Sequence, residues 1–354
     1  MIALIVVAVL VAVVVRAAGG RDEAAPIVQE PAASTAAPAT PTVAETTTPP
    51  QGMPPITVQG NQILRGGVPW WFLGYNSFTW SGNCGLPQEL MTTEQVDAWF
   101  ASMRHDGHGA VRLFFFDGWD VERLDAAIAA AERNNIYVTI TLDNALADCG
   151  EDKKTADWFR DQSREQSYID HMTSLLERYR GNPTVAWFEY FNEPGWQDGG
   201  LLDFIDRMHP IATAVDPDRL FSSGTLAPYA VGGTDNFRQL SESPGVDIVS
   251  LHEYDFTEGE SHLGLPTREN SAGKPVIVGE FGVIDFTQDA AGCEADIAKR
   301  ADRVREKAEA YIGIDGYVGA FAWAWQPGTT VGECGSPGID QDQQVQDLLR
   351  TITR

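Results

Sequence analysis

The sequence predicts an α/β fold, a closed (β/α)8 TIM barrel forming a single folded domain. Three observations lead there. Eight short apolar runs alternate with segments of helical periodicity. The runs are apolar almost throughout, as strands buried on both faces must be. An open doubly wound sheet is the structural rival, but its Gly-x-Gly-x-x-Gly fingerprint after the first strand is missing.

Before the barrel come two segments of different chemistry. Ile2 to Val15 is an uninterrupted apolar run, closed by Arg16 and then Ala17-Ala18-Gly19-Gly20. It is shorter than the roughly 20 residues of a membrane span and closer to the core of a signal peptide. Residues 1–20 are therefore read as a signal peptide or membrane anchor. Residues 21–55 turn to Ala, Thr, Pro and Glu and hold eight of the chain's twenty prolines. So little apolar surface cannot offset the entropy of ordering, and the segment reads as a disordered linker. The folded domain is assigned to 56–354. It opens with Ile-Thr-Val-Gln-Gly-Asn-Gln-Ile-Leu, whose alternation around Gly60-Asn61 signals a β-hairpin.

The eight strand candidates are 71–75, 110–115, 137–142, 185–191, 220–223, 247–251, 276–278 and 318–325. Between them, Thr92 followed by Gln95 forms a capping-box pattern, and Val96, Trp99, Phe100 and Met103 then make one apolar stripe. Val121, Leu124 and Ile128 repeat that spacing. So do Ile169, Met172, Leu176 and Tyr179, ahead of the terminating Gly181 and Pro183, and later Ile297, Val304, Ala308 and Tyr311. Helical signals are weakest after the fifth and sixth strands.

Charge narrows the function classes. Fifty acidic side chains stand against 25 basic ones, a net charge of −25. Such a surface repels phosphate backbones and anionic lipid, so no nucleic-acid partner is expected and a neutral substrate suits it. Cys84, Cys149, Cys293 and Cys334 lack metal-type spacing, and four cysteines in an exported chain allow three pairings. Cys84–Cys149 and Cys293–Cys334 are favoured over free thiols, since each pair would join loops at one end of the barrel.

Functional side chains of such barrels gather at the carboxyl ends of the strands. There the fourth strand ends in Glu189-Tyr190-Phe191-Asn192-Glu193-Pro194, and the seventh runs Val276-Ile277-Val278-Gly279-Glu280-Phe281-Gly282. Strands four and seven face each other across an eight-stranded barrel. Two opposed carboxyl groups are what glycoside cleavage requires: one protonates the leaving oxygen, and the other attacks the sugar carbon or activates water. Glu189 reads differently, as an inward group paired with a cation or hydrogen-bond donors.

Asn-Glu-Pro closing one strand, with Gly-Glu-Phe-Gly closing another three strands later, resembles glycoside hydrolase family 5, over about residues 56–350. The resemblance implies that Glu193 is the acid/base and Glu280 the nucleophile of a retaining double displacement. It implies that Asn192 bonds the sugar 2-hydroxyl in subsite −1 and that Arg112, in Ala-Val-Arg-Leu-Phe-Phe-Phe-Asp-Gly, supports the nucleophile. His252 and Tyr254, in Leu-His-Glu-Tyr, would line the sugar site and orient the nucleophile. Trp325, in Ala-Trp-Ala-Trp-Gln, would be the sugar platform, and Trp323, sharing its strand face, would be core. Asn76 joins the supporting residues through Phe-Leu-Gly-Tyr-Asn-Ser-Phe-Thr-Trp, a run that leans toward endo-β-1,4-mannanases. One or two of the loop residues Trp80, Trp119 and Trp196 are expected at sugar subsites. His105, His108, His171, His209 and His262 read as core or surface residues.

The mechanism predicts carboxyl groups about 5–5.5 Å apart, and it calls for a raised pKa at Glu193. No cofactor or metal is expected: His-Glu-x-x-His and calcium-loop spacings are missing, as is the Gly-x-Ser-x-Gly elbow of esterases. The expected protein is a monomer, secreted or tethered to the outer face of the membrane or to the wall, acting on a polysaccharide or oligosaccharide. The alternatives are an endo-β-1,4-glucanase of the same family, a transglycosylase, and a barrel that binds carbohydrate without hydrolysing it.

Overall fold

Strand chemistry sets the inner wall of the structure, a computed structural model described over residues 52–82, 84, 90–147, 149–254, 265–282, 290–328, 330–331 and 336–352. The chain enters through β1 (Ile56–Gln59), β2 (Gln62–Arg65) and β3 (Val68–Pro69), a small antiparallel sheet that contains the expected hairpin. The barrel follows as β4 (Phe72–Ser77), α1 (Thr93–His105), β5 (Ala110–Phe114), α2 (Val121–Asn134), β6 (Tyr137–Thr141), α3 (Ala156–Arg160), α4 (Glu165–Arg178), β7 (Val185–Glu189) and α5 (Gly200–Val215). It continues with β8 (Leu220–Ser222), α6 (Thr234–Glu242), β9 (Val249–Glu253), α7 (Leu265–Glu269), β10 (Val276–Phe281), α8 (Ala290–Gly313) and β11 (Tyr317–Ala322). A short pair, β12 (Thr330–Val331) and β13 (Ser336–Pro337), precedes α9 (Gln343–Ile352).

Strands β4 to β11 form one parallel eight-stranded sheet in the order β8-β7-β6-β5-β4-β11-β10-β9. A parallel bridge between Ser222 and Ile248 joins its two ends, so the sheet is a nearly closed barrel. The predicted fold class therefore holds.

Alternation along the strands divides the core. One cluster packs helices on the outer wall, with Val96, Trp99, Phe100 and Met103 of α1 and Leu124 and Ile128 of α2 against Leu73, Val111 and Val138. A second cluster fills the barrel base with Phe72, Tyr137, Trp187, Ile277 and Phe321, under Ile56 and Ile63 of the small sheet. Above these the inward positions become polar: Asn76, Arg112, Thr141, Glu189, Ser222 and His252 are buried. The switch from apolar to polar inside one wall positions the site.

The caps follow the sequence. Thr92 accepts from the Gln95 amide and the Gln95 side chain accepts from the Thr92 amide, closing the capping box of α1. After the fifth and sixth strands the helices are short, α6 with nine residues and α7 with five.

Two strand ends differ from expectation. β7 stops at Glu189 although the apolar run continues, because Tyr190 and Phe191 bury against outer-layer rings such as Phe221 and Phe204 rather than extending the ladder. β10 runs on through Glu280, with register shifts after Val278 against both neighbours. Such an irregularity re-aims the side chain that follows.

Cys84 and Cys149 form a disulfide between the loops after β4 and β6. Cys334 and the side chains of Cys293 and Ile297 lie outside the described residues, as do His262, the leader and the linker through residue 51. None of the described helices is long and apolar enough to cross a membrane.

Candidate active site

Arg112 organises the site. It is fully buried on β5, and its guanidinium cannot give up its charge. Its Nε and Nη2 donate to Glu189 Oε1 at 2.8 and 2.5 Å. Nη1 donates to Glu280 Oε1 at 2.7 Å and to Asn76 Oδ1 at 2.9 Å. Nη2 also donates to Asn192 Oδ1 at 2.9 Å. One planar cation thus fixes four side chains from three strands, β4, β7 with its end, and β10, a task that suits its forked donors.

Glu189 is the structural anchor the sequence suggested. Besides Arg112, it accepts from Thr141 Oγ1 and Ser222 Oγ, each at 3.0 Å. Asn76 is equally committed, donating its amide to the carbonyls of Gly279 and Phe321 at 3.0 and 3.2 Å.

The two expected catalytic carboxylates meet above this layer. One oxygen of Glu193, one ring nitrogen of His252 and one oxygen of Glu280 all lie within 4.8 Å of one another. Oxygens that close fit the narrow carboxylate pairs of retaining enzymes. Glu280 Oε2 accepts from the Tyr254 hydroxyl at 2.6 Å, so Arg112 and Tyr254 hold its two oxygens in place. His252 Nδ1 lies 2.8 Å from Glu193 Oε1 and 3.6 Å from Glu280 Oε1. Facing two carboxylates, Nδ1 carries the ring proton, while Nε2 is buried without a partner. The ring lies so close to the next strand that a Cβ at Gly279 would fall 2.8 Å from Nε2 and 2.7 Å from Ser250 Oγ, so a side chain there would displace one or both.

Glu193 itself sits in the left-handed region with φ of 51°, an uncommon conformation for a side chain of this kind. Backbone bonds hold it there: Glu193 N donates to Gly224 O at 3.0 Å, and Asn192 N to Asp143 O at 2.8 Å. Gly224, with φ of 70°, leaves no room for a Cβ, which would fall 1.7 Å from the Phe191 carbonyl oxygen.

The electrostatics correct one expectation. Burial raises Glu280 above the ordinary carboxylate range, and the nearby Glu193 charge adds to it, against the pull of His252, Arg112 and the Tyr254 hydroxyl. Burial raises Glu193 too, but the hydrogen bond and electrostatic pull of His252, with the Arg112 charge, outweigh it and hold Glu193 low. The sequence placed the raised value on Glu193. It overlooked that the His252 proton would be aimed at that residue.

The aromatic expectations divide. Trp325 stacks on Trp99 of α1 with ring centroids 5.7 Å apart and packs on Tyr75 at 5.5 Å. Trp323 neighbours Tyr254 across Gly282. It packs against Phe78 and Phe114, and a Cβ at Gly282 would lie 3.5 Å from the Tyr254 ring and 3.8 Å from Trp323 Cβ. Sequence parity put both Trp on one face, but β11 ends at Ala322, so strand alternation does not reach either. Trp80 is core, its indole N–H donating to the Phe114 carbonyl at 3.2 Å. Trp119 and Trp196 are half-buried. His108 and His171 are buried structural residues, partnered by the Tyr75 hydroxyl and the Phe115 carbonyl.

Asn144 was not anticipated. It follows β6, is buried, and its Oδ1 accepts from Asn192 Nδ2 at 3.3 Å. The signal was the Asp143-Asn144 pair ending an apolar run. Glu193, His252 and Glu280 are also the trio of described residues whose donor atoms lie close enough to hold a cation. The hydrogen bonds above already account for their approach.

Comparison with known proteins agrees with this geometry. The family model described as Cellulase (glycosyl hydrolase family 5) matches residues 99–327, more than half of the chain. A putative mannan endo-1,4-beta-mannosidase 4 of Arabidopsis thaliana is 26% identical over 223 residues, covering 48% of this chain and 55% of the relative. The chain thus spans about half the length of that relative. Among solved structures, a glycoside hydrolase family 5 mannosidase from Rhizomucor miehei superposes with a TM-score of 0.59 at 12% identity, covering 85% of this chain and 97% of that one. The catalytic domain of a Thermobifida fusca endoglucanase gives 0.56 at 18% identity, covering 84% and 97%. At these identities the two structures speak for the fold alone.

Proposed function

The chain belongs to glycosyl hydrolase family 5, and on that footing we propose that it hydrolyses a β-1,4-linked glycan with retention, mannan first and cellulose-type glucan second. The observation that carries this is the pair of carboxylates within 4.8 Å at the ends of facing strands, one held by Arg112 and Tyr254 and the other by His252. Membership of the family supports the reaction class. The mannanase named among the relatives favours mannan, and the net charge of −25 favours a neutral polymer.

The reaction is a double displacement. Glu280 attacks the anomeric carbon and forms the glycosyl ester, while Glu193 gives its proton to the leaving oxygen. Carboxylates this close titrate as a pair and share one proton between their two titrations. Positive charge developing on the sugar beside Glu280 favours its ionised form and sends that proton to Glu193. Once Glu280 is esterified its charge is gone, so the repulsion on Glu193 falls and Glu193 becomes the base that deprotonates the incoming water. Water breaks the ester, and the proton it leaves on Glu193 resets the pair. Arg112 and Asn76 support the nucleophile, Asn192 meets the 2-hydroxyl, and Trp323 takes the platform role in place of Trp325.

Residues 1–20 act as export signal or anchor and residues 21–55 as tether, placing the 56–354 catalytic domain, a monomer, outside the membrane. The deciding experiment is reducing-sugar release by the domain on mannan, glucomannan, carboxymethylcellulose, mixed-linkage glucan and xylan, with Glu280→Gln as control. Activity on mannans that vanishes in the control supports the proposal, activity on glucans alone moves it to the glucanase reading, and silence on every polymer refutes hydrolysis.

A further inference from the structure

One of the buried ion pairs outside the catalytic layer adjoins the end of β7 and uses none of that layer's residues. Asp143, just past β6, places Oδ2 3.0 Å from Lys154 Nζ, and the Lys154 side chain is 3% exposed. Lys154 Nζ also donates to the Asp152 carbonyl at 2.7 Å and lies 4.8 Å from the centroid of the Trp158 ring. Its backbone N–H donates to the Ala145 carbonyl at 3.2 Å. The disulfide at Cys149 closes the same loop against the loop after β4.

This loop is fastened to the end of β7. The Asp143 carbonyl accepts from Asn192 N at 2.8 Å, Ala145 N donates to the Asn192 carbonyl at 3.0 Å, and Asn144 and Asn192 pair side chain to side chain. Asn192 is the residue before Glu193 and a partner of Arg112. A cavity of about 300 Å3, lined by Asp143 and Lys154 among others, opens beside the pair.

We propose that the Asp143–Lys154 ion pair is a positioning pair for the reaction: it clamps Asp143, Asn144 and Ala145 against Asn192 and so fixes where Asn192 and Glu193 meet the sugar. The inference rests on reading Glu193 as the acid/base. Breaking the pair by loss of one partner leaves a buried charge uncompensated, which loosens a loop that a neutral contact would hold.

The clamp depends on pH. Burial pushes Asp143 up to about 6, with Glu151 adding to the rise and Lys154 and the Asn144 N–H opposing it. Lys154 and Glu151 act on Asp143 from its own loop, and the other titratable groups lining the cavity beside it are Asp152 on that loop, Arg164, Tyr168 and His171 at α4, and Asp117 after β5. Above about pH 6 Asp143 is ionised and the pair is intact; below it the pair loses its anion.

The test is kcat and KM on a soluble β-mannan oligosaccharide across about pH 4 to 9 for the wild type, Asp143→Asn, Lys154→Met, the double variant and Lys154→Arg. The wild type and Glu280→Gln are compared first, so that failure of the glycosidase reading shows before any loop variant is judged. Misplacement of about 1 Å costs on the order of 100-fold. Each single charge removal is therefore expected to lower kcat about 10- to 100-fold at neutral pH with little change in KM, and to flatten the limb near pH 6. Lys154→Arg keeps most of the activity. The double variant, which buries no lone charge, guards against failure of the singles to fold and still lacks the limb. Single variants that keep kcat and the acid limb within about twofold overturn the proposal. So does a loss of kcat that leaves the shape of the pH profile unchanged, because that is the mark of a merely structural contact.

Discussion

Replacing Glu189 by glutamine would change one charge and almost no shape. In the wild type Glu189 is fully buried and accepts from Arg112 twice through Oε1, from Thr141 through Oε1 and from Ser222 through Oε2. A glutamine oxygen can take the Arg112 and Thr141 bonds, and its amide can donate to the Ser222 oxygen. What is lost is the counter-charge, leaving Arg112 balanced by Glu280 alone. Removing one partner of a buried pair costs about 3–5 kcal/mol, and the remaining carboxylate argues for the lower end, about 3 kcal/mol. For a domain of about 300 residues, with an unfolding entropy of about 2.1 cal/mol/K per residue, that is a fall of roughly 5 °C in Tm.

The pH effect has a definite sign. Arg112 pulls Glu280 down against burial, and with Glu189 neutral that pull is no longer shared. Glu280 therefore ionises at lower pH, and the acid limb of kcat/KM, which reports loss of the ionised nucleophile, shifts toward lower pH. Thermal denaturation and a pH–rate profile of Glu189→Gln read both effects. A Tm within about 2 °C of wild type together with an unmoved acid limb would refute the view that Arg112 is a charge shared between an anchor and the nucleophile.

Tyr254→Phe removes the donor to Glu280 Oε2, a bond that lowers Glu280, so the acid limb moves up and kcat/KM falls about tenfold or more; an unmoved limb counts against the assigned contact. Glu193→Ala should lose about 100- to 10,000-fold on polysaccharide, less on substrates with activated leaving groups. Added azide should restore turnover of those substrates as a glycosyl azide of retained configuration, and an inverted product would exclude double displacement. Trp323→Ala should raise KM with little change in Tm, whereas Trp325→Ala should lower Tm by loss of the Trp99 and Tyr75 packing and leave KM near wild type. The opposite assignment of the two effects would return the platform to Trp325.

Local chemistry alone determined a good deal of this protein. Eight apolar runs specify eight strands because a strand buried on both faces cannot be polar, and the Thr92–Gln95 box marks a helix start because its bonds span three residues. Glu193 and Glu280 were legible as a candidate pair because Asn-Glu-Pro and Gly-Glu-Phe-Gly close apolar strands three strands apart, which sets them facing each other across an eight-stranded barrel. Glu189 was legible as an anchor because an inward charge must find a partner.

Only the tertiary structure decided the rest, since it turned on distances between residues far apart in the chain. Arg112 meets Glu280 across 168 positions and Glu189 across 77, and no local pattern states that one guanidinium serves both. Which carboxylate is raised depended on the aim of the His252 proton, and so on the close approach that Gly279 permits. Trp323 and Trp325 look equivalent under strand alternation, but alternation holds only while the ladder lasts, and it ends one residue before Trp323. Periodicity is a property of a regular backbone. Where the backbone leaves its ladder, as it does at a catalytic rim, the sequence still names the residues, but their directions are set by packing against the rest of the fold.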